Sequence, residues 1–180
     1  MTAKRLELLH ELVPGATRVA VLANPDEPGA GVTLRELEAA ISAKGLQMRH
    51  LKTSTSREID AAFATFAQER PDALFISGGG FLLSRRVQLS LLAAFYRIPA
   101  TFTVRDFAEA GGLMSYGASL KDAYRQVGVY AGRILKGAKP ADLPVVQASK
   151  FDLVINQQTA RMLGLTVPPT VLARADEVIE

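Results

Sequence analysis

The sequence predicts an α/β protein in which a parallel sheet carries helices on both faces. Three observations predict it. Short apolar runs alternate with helix-periodic segments through residues 18–104. The runs are hydrophobic at successive positions, as in strands buried on both sides. The turns between them are short, and repeated strand–helix–strand units with short turns imply parallel strands joined by right-handed crossovers.

Taken in order, the amino end is an amphipathic helix in which Leu6, Leu9 and Leu12 hold one face, while Glu7 and Glu11 interrupt any signal-peptide core. Arg18-Val-Ala-Val-Leu-Ala23 is the first strand, closing on Asn24-Pro25. Thr33 with Glu36 has the form of a capping box opening a helix whose inward face is Leu34, Leu37 and Ile41, with Gly45 at its end. Residues 46–51 read as a second strand. Thr55 and Glu58 form another capping box, before a stripe of Ile59, Ala62, Phe63, Phe66 and Ala67. Asp72-Ala-Leu-Phe-Ile-Ser77 is the third strand, followed by Gly78-Gly79-Gly80. Residues 84–96 read as a helix and 99–104 as the fourth strand. Beyond Val104 the rhythm changes. Residues 111–117 read as a strand between tight turns, and Ser119 opens a long helix with Ala123, Val127, Tyr130, Ala131 and Ile134 on one face. Phe151-Asp-Leu-Val-Ile155 is a further strand, and Asn156 with Thr159 begins a short helix ending at Gly164.

Composition narrows the function. A chain of 180 residues suits one domain or two small ones, and 48% hydrophobic with 22% charged residues excludes general disorder. The absence of cysteine excludes thiol nucleophiles, disulfides and sulfur-ligated zinc. The net charge of +3 is spread among acids, which describes a solvated surface and not a nucleic-acid interface. No apolar run is long enough to span a bilayer.

In open parallel sheets, ligands bind beyond the carboxyl ends of the strands. Here those ends carry Asn24-Pro-Asp-Glu27, Thr53-Ser54, Gly78-Gly-Gly-Phe81 and Thr103-Val-Arg-Asp106. Gly29 and Gly31 follow the first strand, but a dinucleotide fingerprint needs glycine where Leu34 stands and an acid after the second strand. A phosphoryl receiver would need an aspartate where the three glycines lie. The glycines themselves can bring backbone N–H groups close to a ligand or a carboxylate, or simply permit a turn. His10 and His50 lie away from the rim, and no metal cluster or catalytic triad assembles from the pattern. Asp26, Glu27, Asp106 and Glu109 are loop acids, free for acid–base work or solvated. Arg105 offers a planar fork to a carboxylate-bearing ligand, or an ion pair to Asp106 or Glu109.

Several longer motifs share a source. Ala110-Gly-Gly-Leu-Met-Ser-Tyr-Gly117, Ile134-Leu-Lys-Gly-Ala-Lys-Pro-Ala-Asp-Leu-Pro144, Lys150-Phe-Asp-Leu-Val-Ile-Asn156 and Leu163-Gly-Leu-Thr-Val-Pro-Pro169 follow one another in the chain. With the opening Lys4-Arg-Leu-Glu-Leu-Leu-His-Glu-Leu-Val-Pro14, they resemble the ABC-transporter substrate-binding family of tryptophan- and tyrosine-type uptake proteins. The resemblance covers nearly the whole chain. It implies a type I periplasmic-binding fold, of which this chain would be the carboxyl-terminal half, a truncated form. Residues 1–111 would be the second lobe, 112–144 a crossover strand and helix packed on a first lobe, and 145–180 a return segment.

The resemblance further implies a non-enzymatic protein without cofactor or metal. It would bind a small organic solute, such as an amino acid, between lobes and deliver it to a membrane permease in a periplasmic or extracytoplasmic setting, although this chain carries no export signal. The second-lobe contacts would be Asn24 and Pro25, then Gly79, Gly80 and Phe81, then Phe102 with Arg105. Asn24 would supply an amide, the two phenylalanines a wall and Arg105 a charge. Two departures leave ligand identity open: glycines stand where relatives carry bulkier or acidic residues, and Phe102 stands where tyrosine is usual. The apolar face of the helix at 119–136 would lack its partner, so it would drive self-association or fold back on its own sheet. Two rival readings are a nucleotide-binding α/β enzyme using the glycines at 29, 31 and 78–80, and a ligand-sensing module of a signalling protein.

Overall fold

In the computed structural model, which describes residues 1–180, the first strand β1 (Arg18–Ala23) sends alternate side chains to two helical layers. Val19 and Val21 pack in a cluster with Leu6 of α1 (Thr2–Leu12) and with Leu37 and Ile41 of α2 (Ala30–Ala43). Ala20 and Leu22 face the other way, in a cluster with Ile59, Phe63 and Phe66 of α3 (Ser56–Glu69). A strand that is apolar on both faces therefore becomes the centre of a three-layer arrangement. Burying each of the large α3 side chains contributes roughly 1.5–3 kcal/mol of transfer free energy.

The remaining strands are β2 (Gln47–Lys52), β3 (Ala73–Ile76), β4 (Ala100–Phe102), β5 (Met114–Ala118), β6 (Phe151–Asn156) and β7 (Glu177–Ile179). They form one seven-stranded sheet in the order β2-β1-β3-β4-β5-β6-β7. Every neighbouring pair is parallel except β5 and β6, which run antiparallel from Met114 opposite Ile155 to Ala118 opposite Phe151. Two short helices, α4 (Gly80–Ser84) and α5 (Arg86–Phe95), join β3 to β4, and α6 (Arg105–Glu109) joins β4 to β5. After α7 (Leu120–Leu135) the chain returns as β6, then α8 (Gln157–Met162) and α9 (Pro169–Leu172), whose Ala160 and Val171 pack with Leu8, Leu9 and Leu12 of α1.

The α/β class and the doubly covered sheet follow the pattern in the sequence, and several local readings hold. The Thr55–Glu58 capping box forms: the Glu58 backbone N–H donates to Thr55 Oγ1 at 3.2 Å, and the Thr55 N–H donates to Glu58 Oε2 at 3.0 Å. Asn156 caps α8, its Oδ1 accepting from the Thr159 N–H at 2.8 Å.

Other readings are corrected. Thr33 does not open a helix; α2 begins at Ala30, and Glu36 instead accepts a hydrogen bond from Thr2 Oγ1 at 2.9 Å, tying α2 to α1. The helix expected at 84–96 is two helices divided at Arg85, and the first begins at Gly80. The helix α6 carries no apolar periodicity long enough to reveal it. β5 is hydrogen-bonded into the sheet between β4 and β6, and the chain leaves the sheet at Ser119.

The α7 helix does not fold back on the sheet. None of its residues is buried, and Tyr124 and Leu135 are 73% and 88% exposed. No helix is long and apolar enough to cross a membrane.

Candidate functional site

A cleft of about 360 Å³ opens at the carboxyl ends of β3, β4 and β5, within the size range of small-molecule sites. The loop after β3 contributes Gly78 and Gly79, the loop after β4 contributes Thr103 and Val104, and the end of β5 contributes Tyr116 and Gly117. The first turn of α1 closes one side with Thr2 and Arg5, while Leu83 of α4 and Leu120 of α7 supply apolar wall.

The loops are fixed by contacts among themselves. Glu27 reaches from the loop after β1 to the loop after β3, where its Oε1 accepts from the Phe81 N–H at 2.9 Å. The glycine loop thus cradles a carboxylate from its own chain. Gly79 sits at φ +140, and a Cβ there would come within 2.6 Å of the Glu27 side chain. On the other side of the cleft, a Cβ on Gly117 would lie 1.9 Å from the Thr103 carbonyl oxygen. Only glycine lets β5 approach the end of β4 so closely.

Of the residues expected at the site, Gly79 lines the cleft directly and Gly80 begins α4 beside it. Asn24 is buried in the neighbouring loop, where its Oδ1 accepts from the Asp26 N–H at 3.0 Å, while Pro25 is exposed on that loop. Phe81 gives its backbone N–H to Glu27 and packs its ring against the core cluster, with the Arg85 guanidinium 5.8 Å from the ring centre.

Phe102 and Arg105 lie away from the cleft lining. Phe102 is fully buried and stacks on Phe107 with ring centres 4.6 Å apart, so its ring belongs to the α6 side of the sheet and not to a cleft wall. Arg105 lies outside the cleft and pairs with Glu109 at 2.8 Å and Glu177 at 2.9 Å. The hydrogen bond that Arg105 donates to Glu109 leads the effects that raise its pKa further, and the ion pair to Glu109 is formed.

The groups that sequence reasoning misses are Arg5, Thr33 and Tyr116, all on the cleft wall. Arg5 carries a signal in the chain, because it stands at the apolar spacing of Leu9 and Leu12 along α1. It is buried to 5% exposure, its guanidinium lies 3.9 Å from the centre of the Phe75 ring, and desolvation lowers its pKa to about 9.

This geometry argues against phosphate at the glycines. Gly29 is the N-cap of α2 and Gly31 lies in its first turn, with Leu34 where a dinucleotide fingerprint needs its third glycine. Where the α4 N-terminus offers an N–H, the Glu27 carboxylate already takes it, and a phosphate there would meet a like charge. No group of three or more His, Cys, Asp or Glu residues is placed to hold a metal ion.

Comparison with known proteins supplies the family. A tyrosine-binding protein from Clostridioides difficile (strain R20291) is 23% identical over 162 residues, covering 90% of this chain and 47% of that protein. The chain thus spans about half the length of this curated relative. The crystal structure of an ABC domain in complex with L-Trp from Streptococcus pneumonia superposes with a TM-score of 0.88 and 26% identity, over 99% of this chain and 60% of that one. A conserved domain protein from Vibrio cholerae gives 0.87 and 26%, over 98% and 60% of the two chains. The architecture is the type I periplasmic-binding kind. With the family match running over residues 1–179, the chain belongs to the ABC transporter substrate binding protein family.

Proposed function

We propose that this chain binds a small organic solute, with aromatic amino acids as the leading class, in the cleft at the ends of β3, β4 and β5, and that it makes and breaks no covalent bonds. The observation that carries the reading is the cleft itself. It sits where open parallel sheets bind ligands, and its wall mixes apolar side chains with a few polar groups. The tyrosine and L-Trp named for two similar proteins supply the chemical class.

In the same reading, the chain is the second lobe of a two-lobed binding protein. The excursion through α7 supports this, since a helix with no buried residue and an apolar face is built to pack on something else. In the whole protein that something is the first lobe, and ligand contacts to both lobes favour the closed state. The loaded protein then delivers its solute to an ABC permease outside the cytoplasm. The exposed apolar face of α7 brings two copies of a single lobe together, and a single lobe binds solute weakly because it makes only part of the contacts.

Thermal melting tests the reading. L-tryptophan or L-tyrosine raises the melting temperature in a concentration-dependent way, because a ligand that binds only the folded state stabilises it. NAD or ATP leaves it unchanged. A rise with NAD or ATP and none with the amino acids favours the nucleotide-dependent enzyme instead.

A further inference from the structure

One charge in the molecule has no partner where it most needs one. The exposed arginines at 18, 49, 105, 125 and 174 each pair with an acid. Arg5 is buried to 5% exposure, yet it takes part in no ion pair and its Nε has no hydrogen-bond partner. Burying a charge without a counterion is costly, and such a group persists only where something compensates it. Inside the chain the compensation is partial. The guanidinium rests 3.9 Å from the Phe75 ring centre, which stabilises the cation from one face and leaves Nε unsatisfied.

Arg5 also forms part of the cleft wall, and no carboxylate lines that wall with it. Two acids from neighbouring elements are committed elsewhere, Glu36 to Thr2 Oγ1 and Glu27 to the Phe81 N–H. The other polar side chains on the wall, those of Thr2, Thr33, Thr103 and Tyr116, are neutral. The cleft therefore presents one desolvated guanidinium among neutral and apolar side chains.

We propose that Arg5 is the anion-binding residue of the cleft and restricts its solutes to carboxylates. This rests on the solute-binding reading given above. The planar guanidinium matches a carboxylate through paired N–H donors, and a desolvated setting strengthens such a bond. A hydrophobic acid suits the site better than a phosphate, since the wall offers a single cationic side chain and mostly apolar surface around it. The acid supplies the missing counterion, so discrimination between an acid and its neutral amide is a direct consequence.

The test compares L-tryptophan and 3-phenylpropanoate with L-tryptophanamide and 3-phenylpropanamide on the full chain, followed by amide chemical shifts and by the Arg5 Nε–Hε resonance. The acids bind about tenfold or more tightly than the amides, in keeping with a charge-assisted hydrogen bond, and they move the Arg5 resonance. Arg5→Met abolishes the preference and melts at the same temperature or higher, because it removes a buried unpaired charge. A structural arginine would give the opposite change in melting.

Equal binding of acids and amides by the wild-type chain, an unmoved Arg5 resonance, or a preference retained in Arg5→Met overturns the assignment while leaving solute binding intact. Failure of every probe to move cleft resonances overturns solute binding and the assignment with it. Should Arg5→Met not fold, the wild-type comparison and the Arg5 resonance decide on their own.

Discussion

Glu27 and Phe81 stand 54 residues apart in the chain and meet through a 2.9 Å hydrogen bond from the Phe81 N–H to Glu27 Oε1. This bond ties the loop after β1 to the start of α4 and sets the position of Gly79 between them, on the cleft wall. Replacing Glu27 by Ala removes an acceptor at a helix N-terminus and costs about 1 kcal/mol. Gly79→Ala costs about 2 kcal/mol, since its backbone stands at φ +140 and its new Cβ displaces Glu27. Because both changes break the same bond, the double variant is less destabilised than the sum, as urea melts in a double-mutant cycle will show.

Gly117 governs the opposite side of the cleft. A Cβ there would lie 1.9 Å from the Thr103 carbonyl oxygen, and backbone atoms in a paired sheet cannot yield as a side chain can. Gly117→Ala is expected to cost about 3 kcal/mol, at the upper end of overpacking effects. Gly128→Ala, in α7 with nothing near its missing Cβ, is the control and leaves stability unchanged or slightly higher. Equal melting of the two variants would contradict the close approach of β5 to β4.

Asp72 accepts hydrogen bonds from the Thr17 and Arg18 backbone N–H groups at 2.9 and 2.8 Å, anchoring the entry to β1. Burial pushes its carboxyl upward, but these bonds with those from the Thr17 and Arg18 side chains outweigh it and hold the pKa at about 2, below the ordinary 3.8. A depressed carboxylate pKa stabilises the fold above the unfolded value and loses that contribution as pH falls through the folded one. Asp72→Asn therefore lowers the denaturation midpoint at neutral pH, and the difference from wild type shrinks between about pH 4 and pH 2. A difference that stays constant across this window would assign the effect to lost hydrogen-bond geometry instead of charge.

The apolar face of α7 is the proposed contact surface. Val127 and Ile134 are 64% and 41% exposed, so changing both to Lys alters monomer stability by no more than about 0.5 kcal/mol. Sedimentation velocity is expected to show concentration-dependent association of the wild-type chain that this double variant loses. A wild-type chain that stays monomeric across the concentration range rules self-association out.

Much of the fold is legible along the chain because its causes are local. The capping residues Thr55 and Glu58 lie within one turn of each other, and the doubly apolar β1 announces a sheet covered on both faces. The rule that ligands gather at strand carboxyl ends points to the rim where the cleft and Gly79 lie. The rest depends on partners remote in sequence. Glu177 meets Arg105 across 72 residues, and no pattern around Arg105 reveals it. Phe102 lies in a strand buried on both faces, so periodicity cannot say which face its ring takes. The early start of α4 at Gly80 goes with the Glu27 contact, again a tertiary cause. Arg5 is different: a charge at the spacing of Leu9 and Leu12 is visible in the sequence, and the burial that makes it matter is not.

Chemical-shift mapping with L-tryptophan tests the central claim most directly, because it registers weak binding and locates it. Saturable shifts are expected at Gly78, Gly79, Thr103, Tyr116 and Gly117, none along β2, with the amino acid recovered unchanged. Saturable shifts centred away from these residues, no shifts at millimolar ligand, or chemical conversion of the amino acid would contradict the claim.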